Sequence, residues 1–226
     1  DLDRISQIAL RGVFQSMGQN CAGPERFFVG SKVYDGFLSR IKPLADQLVV
    51  GASNNDAKVD CGAVTMGSLS RDRLQGLVDD AVGKGARILS QGKIPPQELE
   101  GTSFFPPTVL VDVPMTARIA QEEIFGPVAP LTPFDTEDEV IAAANDTEYG
   151  LAAYIYTHDI RRIWKLMRAL EYGMVSVNSV KMTGPPVPFG GVKQSGLGRE
   201  GGATGIDEYL ETKYYCLGAL GSVSGS

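Results

Sequence analysis

The chain has 226 residues, of which 43% are hydrophobic, and it carries a formal net charge of −6. This length supports one large domain or two small ones, and no apolar run approaches the ~18 residues of a membrane helix. The acidic balance argues against nucleic acid as a partner, because binding to phosphates needs a basic surface.

Three widely spaced cysteines, Cys21, Cys61 and Cys216, fit neither a disulfide framework nor a CxxC metal site, so no metal site is predicted. They indicate a reducing compartment. We therefore expect a cytoplasmic protein, with a mitochondrial or membrane-associated location as the alternatives. His158 is the single histidine in the sequence, so no other residue could serve as an imidazole base for a nucleophile.

Along the chain, the apolar spacing alternates between helical and extended patterns. Up to residue 113 the predicted elements are, in order, helix 2–16, strand 26–29, helix 31–45, helix 70–84, strand 86–89, loop 91–103 and strand 108–113. From there the predicted elements are helix 136–144, strand 151–156, helix 160–170, strand 174–177, a Gly/Pro-rich loop 179–198 and an extended segment 209–217.

Helix ends carry recognisable signals. Gly18 is expected to end the first helix, and Gly173 is expected to end the helix over 160–170. Ser31 is expected to cap the second helix, and the run from Thr136 to Glu139 has the pattern of a capping box.

Strands that alternate with helices of about a dozen residues predict an α/β fold. We expect a mostly parallel sheet with helices on both faces. The strands at 108–113 and 151–156 are apolar on both sides, as a covered sheet requires. Residues 218–226 are small and polar and are expected to fray as a flexible tail.

The first motif is Gly18-Gln19-Asn20-Cys21, directly after the opening helix. A cysteine thiolate is a strong nucleophile, and a polar loop near a helix end can favour it. Attack on an aldehyde would give a thiohemiacetal, which has a hydride to lose. The alternative is a buried, inert cysteine, where most free cysteines lie.

The second motif is Gln121-Glu122-Glu123-Ile124-Phe125-Gly126-Pro127-Val128. Its carboxylates could accept hydrogen bonds from a pair of sugar hydroxyls, and its aromatic ring could pack on a flat ligand. Taken alone, a turn at residues 126–127 preceded by solvated acids is the simpler interpretation.

The third motif covers residues 188–200 and reads PFGGVKQSGLGRE. With Gly201 it contains the G-x-G-x-x-G spacing of a dinucleotide fingerprint, but that fingerprint must follow a strand and open a βαβ unit. Here it follows a Pro/Gly loop, so we expect its glycines to let a loop pack closely near a site.

The three motifs together resemble the C-terminal catalytic domain of the aldehyde dehydrogenase superfamily. The resemblance extends from Leu2 to Leu217, and its specificity comes from the set of motifs in order. It implies that Cys21 attacks the aldehyde while its backbone N–H forms half of an oxyanion hole, with Asn20 in the same catalytic loop. Hydride would pass to NAD or NADP, and water would release the carboxylic acid.

The resemblance also implies binding roles. Glu123 would bind the nicotinamide ribose and Phe125 would pack beside the nicotinamide. Gln15, Thr183 and Phe189 would line the substrate side.

The family places its general-base glutamate, an oxyanion asparagine and the nucleotide-binding domain well before the cysteine, and only twenty residues precede Cys21 here. We therefore expect an N-terminal nucleotide-binding domain to be absent from this chain and needed as a partner. The chain would divide into a catalytic domain over 1–206, an oligomerisation strand over 207–217 and the tail. A homodimer or homotetramer is implied for the full protein.

Two stretches in the second half of the chain, 169–175 and 198–214, are most similar to succinate-semialdehyde dehydrogenases. The front half departs from them: Gln15 stands where they carry a carboxylate-gripping arginine, and Gly23 where many have a second cysteine. Lys181 or Lys193 could hold a carboxylate instead. Two alternatives to aldehyde oxidation stay open, namely a non-catalytic scaffold of the same fold and an aldehyde dehydrogenase that acylates coenzyme A.

Overall fold

A computed structural model describes residues 1–52, 58–94 and 103–218. The helices are α1 Leu2–Phe14, α2 Ser31–Asp46, α3 Ser68–Gly83, α4 Glu137–Asn145 and α5 Ile160–Ala169. The strands are β1 Phe27–Gly30, β2 Arg87–Gln91, β3 Thr108–Val111, β4 Val128–Phe134, β5 Ala152–Ile155 and β6 Met174–Val177. None of the described helices is long and apolar enough to cross a bilayer.

The strands form two sheets rather than one. In the larger sheet the order is β1-β4-β3-β2, with β1, β4 and β3 parallel and β2 antiparallel at the edge. The smaller sheet is the parallel pair β5 and β6. The predicted α/β class with mostly parallel strands is confirmed. The strands do not form one continuous sheet, because β1 and β5 are not paired with each other.

The strand β3 lies in the core, since all four of its residues are buried. Successive side chains of a strand point to opposite faces, so both faces of the sheet are covered at this point. The helix α2 contacts all four strands of the larger sheet and α1 packs on α2. The strand β5 is only half-buried along three of its four residues, so the expectation that both its faces are covered is not met within this chain.

The strand β4 was not expected from the sequence, although it lies inside the larger sheet. Pro130 and Pro133 interrupt its pattern, and proline cannot donate to a strand ladder. The pairing explains the tolerance: residues 128–130 pair with β3, whereas residues 131–134 pair with β1. Each residue of β4 therefore pairs with only one neighbouring strand, which leaves fewer backbone hydrogen bonds for the prolines to disrupt.

The helix caps agree with the sequence in part. Thr136 and Glu139 form the predicted capping box at the start of α4. The Ser31 prediction is wrong: Gly30 is the N-cap of α2 and no side chain caps it. The Ser31 hydroxyl lies at hydrogen-bond distance from the Phe134 carbonyl oxygen and the Asp135 carboxylate instead, which ties the start of α2 to the end of β4.

Beyond β6 the chain is irregular. A short 3₁₀ helix covers Gly205–Tyr209, and residues 210–218 form no helix or strand and are exposed. Residues 219–226 of the predicted tail lie outside the described residues. So do residues 95–102 of the predicted loop 91–103.

Candidate active site

A cavity of about 870 Å³ lies between the two sheets. All residues of β1 and β5 line it, and Cys21, Glu25 and Glu123 also reach its wall. Within the described residues, β1 pairs only with β4 and β5 only with β6, so both strands present an open edge to this space. The cavity thus brings the first and second sequence motifs together.

The loop that carries Cys21 is held by local turns. Ser16 and Met17 take left-handed backbone angles after α1, and Thr65 donates both its N–H and its hydroxyl to the Gln19 side chain, each at 2.7 Å. Asn20 accepts the Ala22 N–H on its side chain at 3.1 Å. The Asn20 side chain is therefore used to shape the turn.

Cys21 itself is exposed. Among the described residues, its backbone N–H has no hydrogen-bond partner, while the next N–H is satisfied by Asn20. The Tyr154 hydroxyl donates to the Ala22 carbonyl oxygen at 2.6 Å, and burial raises the pKa of that phenol to about 12. Tyr154 is thus a neutral donor that fixes the loop against β5.

The second motif packs directly under this loop. Gly18 has a φ of +68°, and a Cβ at this position would lie 2.1 Å from the Gly126 carbonyl oxygen. Only glycine permits this approach. At the turn, Phe125 has a φ of 44° and is 37% exposed, while Glu123 is exposed at the cavity.

Two charged residues that the sequence did not single out hold this turn. Glu25 accepts the backbone N–H of Ile124 at 3.0 Å and that of Phe125 at 2.7 Å. From the other side, Arg73 on α3 donates to the carbonyl oxygens of Glu123 and Ile124. Burial raises the pKa of Glu25 to about 7, against the lowering effect of its two backbone hydrogen bonds.

The predicted substrate-side residues lie apart from the cavity wall. Gln15 and Thr183 are exposed, and Phe189 is half-buried where its backbone pairs with Glu200 through two hydrogen bonds of 2.7 Å. None of the three lines the cavity, and neither does Phe125 or Asn20. The structure brings Cys21 and Glu123 together, with Phe125 beside them in the turn.

The glycines of the third motif pack a loop, as expected. A short 3₁₀ helix, Lys193–Ser195, and not a strand, directly precedes Gly196, and no α-helix follows it within residues 103–218, so the dinucleotide fingerprint does not form here. Arg199 donates to the Gly191 carbonyl oxygen at 2.7 Å, which folds the loop back on itself. Lys193 is engaged with Glu171, Asn145 and Thr147, so it is not free to hold a substrate carboxylate.

The other two cysteines do not line the cavity. Cys61 is buried, and burial together with the neighbouring Asp60 raises the pKa of its thiol to about 11. Cys216 is exposed in the C-terminal segment. No cluster of His, Cys, Asp or Glu able to hold a metal ion exists among the described residues.

The α/β fold thus carries an exposed cysteine, whose backbone N–H has no partner among the described residues, and the Glu123 carboxylate on the wall of the same cavity. The model of the aldehyde dehydrogenase family matches residues 1–215. The chain belongs to this family.

Similar proteins agree. The chain is 56% identical over 218 residues to a non-phosphorylating aspartate-semialdehyde dehydrogenase of Halomonas elongata, covering 96% of this chain and 43% of that protein. It is 44% identical over 222 residues to a succinate-semialdehyde dehydrogenase [NADP(+)] of Escherichia coli, covering 96% and 44%. A crystal structure of succinate-semialdehyde dehydrogenase from Burkholderia pseudomallei superposes with a TM-score of 0.88 at 41% identity, covering 96% and 44%. The chain therefore spans less than half the length of these relatives.

Proposed function

We propose that this chain supplies the nucleophile of an NAD(P)-dependent aldehyde dehydrogenase and acts together with the remaining length that its relatives possess. The observation that supports this most is the placement of an exposed Cys21 and the Glu123 carboxylate on one cavity. A scaffold would need neither group there.

The chemistry assigned to this chain centres on Cys21. Its thiolate adds to the aldehyde carbon, a C–S bond forms, and the carbonyl π electrons move to the oxygen. The unpaired Cys21 N–H is a donor for that oxyanion. Loss of hydride from the carbon leaves a thioester on Sγ, and water cleaves the C–S bond to give the carboxylic acid and the free thiol.

The residues of the second motif fit a nicotinamide dinucleotide. The exposed Glu123 carboxylate can accept hydrogen bonds from two ribose hydroxyls, and the exposed Phe125 ring offers an apolar surface to a flat heterocycle. When bound, the dinucleotide supplies the two-electron acceptor. The names of the relatives include an NADP-dependent enzyme, which supports the same cofactor class for this protein.

A direct test uses the full-length protein with a short aldehyde and either dinucleotide. Production of reduced dinucleotide together with carboxylic acid is expected, and Cys21→Ser should abolish it while Cys61→Ser and Cys216→Ser retain it. Turnover by Cys21→Ser at the wild-type rate would refute the nucleophile assignment. Formation of an acyl-coenzyme A instead of the acid would assign the acylating reaction.

For the substrate we propose a semialdehyde with a distal carboxylate. The aspartate-, glutarate- and succinate-semialdehyde dehydrogenases among its relatives all take their names from such compounds. In this chain Lys181 is exposed and its ammonium makes no hydrogen bond within the described residues, whereas Lys193 is engaged. Of these two lysines, Lys181 is therefore the one available to a carboxylate.

Two substitutions examine this proposal in the full-length protein. Lys181→Gln should raise KM for succinate semialdehyde more than KM for a neutral aldehyde of similar length. Gln15 does not line the cavity in this chain, but it stands where the resemblance places a carboxylate-gripping arginine, so Gln15→Arg should improve kcat/KM for succinate semialdehyde. Equal changes for charged and neutral aldehydes in both variants would contradict a distal carboxylate.

We also propose that residues 207–217 pair with a neighbouring subunit in a homodimer or homotetramer. Large apolar side chains in and beside this segment are exposed, with Tyr209 at 83% and Leu217 at 89%. Burial of this surface against a second copy would remove an aggregation hazard.

A further inference from the structure

We propose that Glu25 is a positioning residue that fixes the cofactor-binding turn Glu123–Phe125 to the nucleophile loop. This rests on the proposed function for the identity of the ligand, but the positioning is argued from contacts within the chain. Glu25 lies four residues after Cys21, and its two carboxylate oxygens accept consecutive N–H groups about a hundred residues further on. A short stretch of backbone thus links the nucleophile to the turn.

The geometry favours the ionised form of Glu25. Each oxygen accepts one N–H, Oε2 from Ile124 and Oε1 from Phe125. A carboxylate can accept on both oxygens, whereas an amide offers one acceptor and one donor. Glu25→Gln keeps the shape but turns an NH₂ group toward a backbone N–H.

The turn needs such support because of its backbone angle. A bulky aromatic residue with positive φ is rare and persists only when its surroundings hold it. Phe125 has a φ of 44°. Arg73 holds the carbonyl oxygens of Glu123 and Ile124, and Glu25 holds the N–H groups of Ile124 and Phe125, so together they restrain all three residues of the turn.

The charges around Glu25 set its response to pH. Arg73 favours the carboxylate, Glu123 opposes it, and the Tyr149 phenol lies close enough to feel the Glu25 charge. Because burial raises the pKa of Glu25 to about 7, the restraint strengthens as the pH rises through this value and weakens as Glu25 takes up a proton below it. Dinucleotide affinity should fall in the same pH range in the wild type and lose this step in Glu25→Gln.

The test measures backbone amide exchange and dinucleotide binding on the full-length protein. In Glu25→Gln, amide exchange at Ile124 and Phe125 should rise about tenfold, the size expected when a hydrogen bond to a charged group is lost. The dinucleotide Kd should rise by a similar factor. The labelling rate of Cys21 and KM for the aldehyde should change little, and Arg73→Gln should loosen the same amides.

Glu122→Gln is the matched control, because it removes a nearby carboxylate that is paired with Arg118 on the surface. It should leave amide exchange at 124 and 125 unchanged. Unaltered protection of these amides in a folded Glu25→Gln protein would overturn the proposal, and so would equal loosening in the control. If the amides loosen but the wild type neither binds dinucleotide nor oxidises aldehydes, the positioning stands and the proposed function fails.

Discussion

At the scale of single residues, the three cysteines should differ sharply in reactivity. In the folded full-length protein, iodoacetamide should label Cys21 and leave Cys61 unlabelled, because Cys61 is buried and its thiol pKa is raised to about 11. At pH 8 only roughly one Cys61 thiol in a thousand would be ionised. Mass spectrometry of modified peptides measures this directly.

Cys216 is exposed as well, so its contribution must be removed. In Cys216→Ser the fast labelling should persist, and in Cys21→Ser/Cys216→Ser it should disappear. Rapid modification of Cys61 in the native protein would show that the described packing around it is wrong.

A second residue-scale prediction concerns the contact between the two motifs. Gly18→Ala should destabilise the protein by about 2–4 kcal/mol, because the new Cβ meets the Gly126 carbonyl oxygen and the residue has a positive φ. Gly62→Ala is the control, since a Cβ there meets nothing within 4 Å. Thermal melting compares them, and equal melting temperatures for the two variants would contradict the close approach.

The site was only partly predictable from the sequence. Cys21, Glu123 and Phe125 stand in contiguous motifs, and the structure brings the three into one region. Glu25 was not predicted because its partners are backbone N–H groups a hundred residues away, which carry no side-chain signal. Such a tie is visible only after the chain has folded.

At the scale of elements, Arg26 closes the C-terminal end of α4. Its guanidinium donates to the carbonyl oxygens of Ala143, Ala144 and Asp146 at 3.2, 2.7 and 3.3 Å. Helix ends leave their last carbonyl oxygens without partners, and a cation there also favours the helix dipole. Arg26 therefore joins the strand β1 to a helix that is distant in sequence.

Arg26→Lys should cost about 2–3 kcal/mol, because one ammonium cannot reach several carbonyl oxygens in the way a planar guanidinium does. The control is Arg87→Lys, which alters an exposed ion pair with Asp112 and should cost less than about 0.5 kcal/mol. Thermal melting of both variants distinguishes the two roles. A similar loss in each would show that Arg26 does not support α4.

Element prediction succeeded where a local pattern was complete and failed where pairing decided the outcome. The capping box at Thr136 and the strands β3 and β6 followed from their own residues. The strand β4 did not, because its staggered pairing with β1 and β3 permits two prolines that local rules exclude. Ser31 failed as a cap because the Phe134 and Asp135 oxygens engage its hydroxyl.

At the scale of the whole molecule, two surfaces of the described residues expose groups that proteins usually bury or pair. The cavity between β1 and β5 presents two strand edges, and the segment after residue 209 presents exposed tyrosines and leucines. Family relatives are more than twice as long as this chain, which leaves ample sequence to cover the cavity. The C-terminal segment, in contrast, belongs to this chain and can be tested by itself.

Deletion of residues 210–226 from the full-length protein should convert a dimer or tetramer into monomers. Tyr214 and Tyr215 are 83% and 73% exposed here, and the proposed assembly would bury their apolar surface. The cut spares Glu208, which accepts the Arg199 N–H and supports the third motif. Light scattering after size-exclusion chromatography gives the mass, and deletion of 219–226 alone should leave it unchanged. A 210–226 deletion that keeps the full oligomer mass would exclude this segment as the subunit contact.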